Sequence, residues 1–454
     1  MSETKILFTK CRLLPNGCAL DEEYDITQGA PEIDYYESIE SPSISMTLRF
    51  IDIDQVIGRK GITGGELIEL TVKDGDEDEF KITKDHKLML NAVSDMNTTA
   101  QIQEATLEFI SQETIINETA RLNKKFAGNV SQIVKDILTE DKKGIKTKKK
   151  VFGPKKEGEI EEDRATNSYS FVGNLKRPFD TIQWLCAKSQ SSTKNFGFLF
   201  FENLDGYHFR SIENLLKQEP LRYEQTDSPF ESENKAIILQ NKLNQSNDIG
   251  MNCRMGMYAN KTIYIDIENQ GASVDDFDVT KLELNKPVKL MDGLEKHPTR
   301  LMLRVDDVGV AQVGAAKSET VPKSELAKYQ NKSYIRNNLL FSQSLSISIP
   351  LNSTLRVGVL VDIKLPTKKG DGTTQTDSFG SEKGNDPSGR YLIAELRHLI
   401  GRGKSETQLK LIRDVFTPST DAEVQRDNEQ YGNCLLYTSP SPRDNLPSRM
   451  PSSA

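Results

Sequence analysis

The chain has one tryptophan in 454 residues, aromatics make up 7% of it, and its five cysteines form no CxxC pair. Sparse aromatics are poor material for a polysaccharide-binding face, which stacks sugar rings on exposed aromatic side chains. The cysteines at 11, 18, 186, 253 and 434 are scattered and odd in number, so the sequence predicts reduced thiols made in a cytosol, with no disulfide framework. No run of 18 apolar residues occurs, which excludes a membrane-crossing helix. Residues 1–10 lack the basic and apolar regions of a secretory leader. A basic excess is missing too: the net charge is −8 and the pI about 5.4, which argues against a general nucleic-acid binder. What is present, 36% hydrophobic and 28% charged residues, supplies real cores for a soluble chain of two to four domains.

Catalytic signatures are equally sparse. His86, His208, His297 and His398 form no HExxH and no local metal pair, so each reads as a surface or satisfied core residue. No GxSxG, phosphate-binding P-loop or GxGxxG occurs. Residues 61–65 (GITGG) lack the Lys-Ser/Thr of a phosphate loop and read as turn glycines. Asp74, Asp76 and Asp78 alternate as in a calcium loop, but Glu79 stands where the sharp bend needs glycine, and Asp85 where the bidentate glutamate belongs. A solvated hairpin tip accounts for them. The lysine-rich run 142–156 is followed at once by acids and reads as a solvated loop. None of the 67 acidic residues stands out as half of a glycosidase pair. No catalytic, cofactor-binding or metal-ligating residue is assigned, and no cofactor is expected.

Residues 434–454 (CLLYTSPSPRDNLPSRMPSSA) match the translation of a short-read sequencing adapter, with residues 445–447 where a variable index falls. The expectation is an assembly artefact that leaves residues 1–433 as native sequence. A Ser/Pro-rich disordered tail is the alternative. Either way the segment stays outside fold reasoning.

The rest is mainly β in pattern. Residues 43–52 alternate as a half-buried strand, 66–73 and 80–83 flank a charged tip as a hairpin, and 105–111 add another strand. Together they predict an antiparallel barrel or sandwich over residues 1–113. The period then turns helical at 130–138. The polar run 141–167 is predicted to be a loop without a core. Arg177-Pro178-Phe179 opens a helix whose Phe179, Ile182, Leu185 and Cys186 share one face. Strands at 195–201 and 207–211 surround a turn at 203–206. Further strands are predicted at 235–241, 261–267, 344–349, 357–365, 390–398 and 408–414, with residues 275–291 irregular. A helix starts at Ser324 and runs to about Leu340, and a long exposed loop covers 367–388. One echo links the ends. SISMTLRF, a turn, GGELIELTV and FKIT repeat in order as SLSISIPL, a turn, VGVLVDIKLP and RYLIAEL, which suggests either two related barrels or two unrelated meanders.

The stretch RPFDTIQW at 177–184, with GFLFFE at 197–202 and DGYHFRSI at 205–212, resembles the baseplate hub family of contractile-tailed bacteriophages of the T-even and cyanophage kind. GGE at 64–66, GMYA at 256–259 and SGRYLI at 388–393 agree with it, and the likeness runs through nearly all of residues 1–433. The lysine-rich loop and residues 366–388 look like insertions relative to shorter members. The resemblance implies a mainly β (α+β) fold: two antiparallel tail-tube-like β-barrel domains with smaller α+β domains inserted between and within them. The first barrel would span 1–113 and an α+β domain 114–220, with its Lys-rich loop at 141–167. A discontinuous second barrel would span 221–268 and 335–418, with a small inserted domain at 269–334 and a C-terminal segment at 419–433.

The resemblance further implies a homotrimeric ring that adapts the sixfold tail tube to the threefold central spike and leaves a channel for the genome. Its partners would be its own copies, the spike or tail-lysozyme protein, the tube protein and other baseplate proteins. DNA would pass without specific binding, no membrane would be involved, and the protein would sit in the virion baseplate after assembly in the host cytoplasm. The family implies no catalytic residue. Arg177, Pro178, Phe179, Trp184, Phe200, Glu202, Asp205, Gly206, Phe209, Arg210 and Ser211 would be structural. Phe179 and Trp184 would pack the helix on the hairpin, Phe200 and Phe209 would fill the same core, Gly206 would allow the turn, and Arg210 and Glu202 would pair across it. Two other readings stay open: a tail-associated peptidoglycan hydrolase, and a hub or spike protein of a tailocin or secretion machine, whose β-helix repeats are not visible here.

Overall fold

The computed structural model describes residues 6–414, except 19, 31, 54, 75–77, 99–102, 141–143, 154–163, 193, 226–236, 246–247, 268–269, 283–292, 295, 306–310, 314–319, 322, 369–373, 377–386 and 402–404. Residues 434–454 and the tip of the first hairpin lie outside this set. The chain is mainly β, and most of its strands join one fourteen-stranded sheet.

The N-terminal part contributes β1 (Ile6–Leu14), β2 (Tyr24–Asp25), β3 (Glu32–Ser38), β4 (Ser45–Asp52), β5 (Leu67–Asp74), β6 (Asp78–Ile82), β7 (Leu88–Thr98) and β8 (Gln103–Ser111), with α1 (Val56–Lys60) between β4 and β5. Alternation sets their faces. Along β4, Met46, Leu48, Phe50 and Asp52 all point inward, and the Asp52 carboxylate accepts from the Val56 and Ile57 amides at 2.8 and 2.9 Å, capping α1.

The middle part holds α2 (Gln112–Thr119), β9 (Lys125–Asn129), α3 (Val130–Thr139), β10 (Lys150–Phe152), β11 (Ser168–Val172), α4 (Pro178–Cys186), β12 (Phe198–Asn203), β13 (Gly206–Ser211) and α5 (Ile212–Leu215). It has its own apolar core, built from α3, α4, β11 and the β12–β13 hairpin. The Asn129 side chain accepts from the Ser131 amide and starts α3.

After β14 (Leu221–Glu224) and β15 (Gln240–Gln245) come α6 (Ile249–Met255), β16 (Ala259–Asp266), β17 (Gly271–Asp278), β18 (Arg300–Val305), β19 (Ala311–Val313), β20 (Thr320–Val321) and α7 (Lys323–Leu340). The chain then returns through β21 (Gln343–Pro350), β22 (Leu360–Lys364), the short ribbon β23 (Pro366–Lys368) and β24 (Thr374–Thr376), β25 (Gly389–Gly401) and β26 (Ser405–Arg413).

The large sheet contains one module twice. Its neighbours run β3-β4-β8-β7-β5-β1 in the first half and β15-β21-β26-β25-β22-β14 in the second. With β2 and β6 of the first half set aside, the strands of the two halves, taken in chain order, occupy the same places. The match reaches single hydrogen bonds. The Gly65 amide donates to the Leu90 carbonyl and the Leu90 amide to Glu66, at 2.8 and 2.7 Å; Gly358, Ile393 and Val359 repeat this at 2.9 and 3.0 Å. Both glycines have positive φ, +102° and +81°. A register shift follows Leu90 in β7 and Ile393 in β25. The halves differ at one edge, since β1 runs antiparallel to β5 and β14 parallel to β22.

In the second half Ile238 donates to Glu224 of β14, and the next residue, Leu239, donates to Ser348 of β21. In the first half Ile26 donates to Cys11 of β1 in the same manner, and the turn Thr27–Gly29 lies against β4, where Gly29 comes within 2.6 Å of the Ile51 carbonyl by its would-be Cβ. The two halves are continuous. β25 pairs with β22 through residues 389–392 and with β3 through residues 395–401.

Four sequence expectations change. The strand that echoes RYLIAEL is β7, not residues 80–83, because β25 and β7 hold the same place in the strand order. The strand at 261–267, assigned to the second barrel, is β16 and, among the described residues, pairs with β17 and β18 in a separate sheet. Within residues 275–291, expected to be irregular, 275–278 complete the strand β17. The polar stretch 141–167 does not lack a core: Ile145 and Ala165 are fully buried in it, while residues 141–143 and 154–163 lie outside the described set.

Candidate functional site

The signature residues gather where the middle part meets both halves of the sheet. Arg177 is extended and Pro178 fills the first turn of α4, where its missing amide costs nothing. The orphan amide of Phe179 donates to Asn117 Oδ1 at 2.8 Å. Arg177 ties this helix start to Asp180 and, through both carboxylate oxygens, to Glu118. Phe179 packs on Phe200 at 5.5 Å and Tyr207 at 5.9 Å, and Phe209 stacks on Phe198 at 4.9 Å in the same core. At the hairpin turn, Asn203 Oδ1 accepts from the Asp205 and Gly206 amides. Asp205 faces Arg356 of the second half at 3.8 Å. Gly206 has φ +144°, and a Cβ there would lie 2.3 Å from the Lys150 carbonyl, so β10 reaches β13 only over a glycine. Ser211 caps α5 by accepting from the Asn214 amide.

Trp184 packs at the edge of this core, where its ring meets Phe171 of β11 at 5.1 Å and the ammonium groups of Lys176 and Lys188 lie 5.5 and 4.8 Å from its centroid. One expected contact is replaced. Arg210 does not pair with Glu202, because its register partner is Leu199, three residues from Glu202 and so on the opposite face of β12.

Glu202 instead turns into the junction and is fully buried. Its carboxylate accepts from the Ile44 amide at 3.2 Å, Ser111 Oγ at 2.6 Å and Lys149 Nζ at 2.6 Å. Lys149 also reaches Glu113 at 2.9 Å, and Glu113 accepts from Thr147 Oγ1. Burial pushes the Glu202 carboxyl above the ordinary glutamate range, and the Lys149 charge offsets this only in part. Burial works against the Lys149 ammonium, but Glu202 and Glu113 outweigh it and hold its pKa above the usual lysine value.

A second carboxylate stitches the same junction from the other side. Glu37 of β3 accepts from Tyr35 Oη at 2.7 Å, the Leu204 amide of the hairpin turn at 2.9 Å and the Val357 amide of the second half at 3.0 Å. Burial raises its pKa, and the nearby Arg356 opposes the rise. The first half thus sends a carboxylate to the hairpin and the second half, and the hairpin sends one back.

The chemistry available here is clamping. Each carboxylate accepts from three donors and is buried. Among the described residues no group of three or more His, Cys, Asp or Glu side chains could hold a metal. His208 and His398 are buried as neutral rings, pushed down to about 3 by burial. His398 stacks on Tyr35, with Nδ1 2.9 Å from Thr407 Oγ1. Cys11, Cys18, Cys186 and Cys253 are free thiols.

Sequence reasoning reached Glu202 but not Glu37, Glu113 or Lys149. Glu37 had a signal, since it continues the inward phase of Ile33 and Tyr35 along β3. Lys149 had none, because it is one lysine in a run of them.

No protein-family model and no curated protein sequence matches the chain. Similar solved structures include the 43 kDa tail protein of prophage MuSo2 from Shewanella oneidensis, at 10% identity and TM-score 0.49, covering 90% of this chain and 99% of that one. The tail protein from Neisseria meningitidis MC58 shows 11% identity and TM-score 0.49, covering 90% and 98%. The E. coli c3393 protein, described as a type VI secretion component, shows 10% identity and TM-score 0.40, covering 86% and 76%.

Proposed function

We propose that this chain is a structural subunit of the baseplate hub of a contractile phage tail. Three copies form a ring that adapts the sixfold tail tube to the threefold spike and leaves a channel for the genome. The observation that carries the reading is the repetition of one six-stranded order within one chain. A threefold ring presents six equivalent surfaces only if each subunit carries two equivalent modules. On this reading the modules are tail-tube-like β-barrels, over 1–113 and over 221–245 with 335–418. The middle part, 114–220, is the α+β domain between them, and the small inserted domain begins at α6.

The junction residues serve the same end. An adaptor must hold its two modules at a fixed mutual angle, and Glu37, Glu202 and Lys149 fix that angle through buried, directional bonds. The signature residues from Arg177 to Ser211 are structural, with no catalytic or cofactor role. Partners are its own copies, the spike or tail lysozyme, the tube protein and other baseplate proteins, in the virion baseplate after assembly in the host cytoplasm. The acidic balance favours passage of DNA over binding of it.

The test is the molar mass of the purified chain by light scattering after size exclusion, alone and with a co-expressed spike candidate. Three times the monomer mass, alone or only with the spike, is the expected result. A monomer under both conditions overturns the reading.

A further inference from the structure

The sheet β17-β16-β18 has one face on α7 and the other open. On the α7 side Thr262 and Tyr264 are buried, and Asn260 meets Asn331 at 2.9 Å. On the open side the strands set Leu303, Ile263 and Val274 in one rank and Val305, Ile265 and Ala272 in the next. Leu301 and Leu303 are each 66% exposed, Val274 and Ile267 59%, and Val305 52%. The charged rank places Lys261 3.4 Å from Asp276, so the face is neutral.

Two features mark this face as one made to be covered. β16 and β18 run parallel, and parallel strands normally lie buried on both faces. The open side chains display on the order of 500 Å² of apolar surface, near the top of what a monomer shows. We infer that this face is a contact between copies of this chain. A neutral apolar surface offers nothing to DNA or to a charged peptide. With an equal area on the partner it buries about 1,000 Å², the lower bound for specific association. The inference rests on the hub reading only for the number of copies. In a threefold ring the contact is heterologous, so this face meets a different surface of the next subunit.

The experiment compares the full wild-type chain with Leu301→Lys/Leu303→Glu by sedimentation equilibrium, with far-UV circular dichroism as the check on folding. A wild-type oligomer and a folded variant that is monomeric, or at least about tenfold weaker in association, is the expected result. A variant that keeps the wild-type mass overturns this inference and leaves the hub reading standing. A wild-type monomer at every concentration overturns this inference, while the hub reading then stands or falls on the co-expression with the spike. A wild-type dimer that the variant dissociates supports the inference and removes the hub reading. If the double variant does not fold, Leu303→Thr/Val305→Thr, which suits an exposed strand, is judged by the same criteria.

Discussion

Lys149 shows how much a single side chain can carry when two carboxylates close around it. Replacing it with methionine leaves Glu113 and Glu202 buried without their counter-charge. The expected loss is about 3–5 kcal/mol, read from urea unfolding; a loss under about 1 kcal/mol would mean that the pair contributes little. Its pKa is raised in the folded chain, so the contribution is full below the ordinary value of 10.5 and fades as pH climbs beyond the folded one. His398 acts in the opposite range. The unfolded imidazole titrates near 6.5 and the folded one near 3, so the unfolded chain binds the extra proton between them and stability falls as pH drops below about 6.5. Glu37 and Glu202, whose folded pKa values are raised, oppose this trend. The informative quantity is therefore a difference: His398→Phe should lose less melting temperature than wild type between pH 7 and pH 5. Equal losses would remove His398 from the acid response. At this scale the sequence was partly legible. Glu202 and Gly206 stood out within the signature, but the partner of Glu202 is 53 residues away in a polar run with no distinguishing pattern.

At the scale of elements, close approach decides what a turn can tolerate. Gly206→Ala would set a methyl against the Lys150 carbonyl and force β10 away from β13, whereas Gly17→Ala, also at positive φ, meets nothing within 4 Å. The first is expected to cost about 3 kcal/mol or more and the second about 1. Similar losses in chemical denaturation would show that φ, and not the neighbouring strand, sets the cost. Alternation and turn chemistry made β4, β5, β8, α3, α4 and the β12–β13 hairpin readable. Partner choice was not readable. The pattern of β16 is that of any half-buried strand, and nothing local says that it joins β18 in parallel across 33 intervening residues, 267–299. The repeat could be heard as an echo of strands, but its correct pairing of β7 with β25 emerges only from the strand order.

Across the whole molecule, Glu37 joins three segments that are far apart in the chain: its own strand, the hairpin turn and residue 357. Wild type should therefore unfold in one calorimetric transition. Glu37→Leu strands two buried amides and should lower the midpoint and separate the modules into two transitions; a single unshifted peak would rule the clamp out. The continuity between halves was invisible in the sequence, because β25 reads as one alternating strand whether it serves one module or two. That strand also has a mechanical meaning. Its seven register pairs with β3, from Glu395↔Ser38 to Gly401↔Glu32, lie side by side along the join. A force drawn along the strands loads all of these rungs in shear and must break them together. A force across the strands peels them one at a time. The join between modules is therefore stiff along one axis and weak along another, and a pull on one module reaches the other through the backbone of β25 without first passing through a loop.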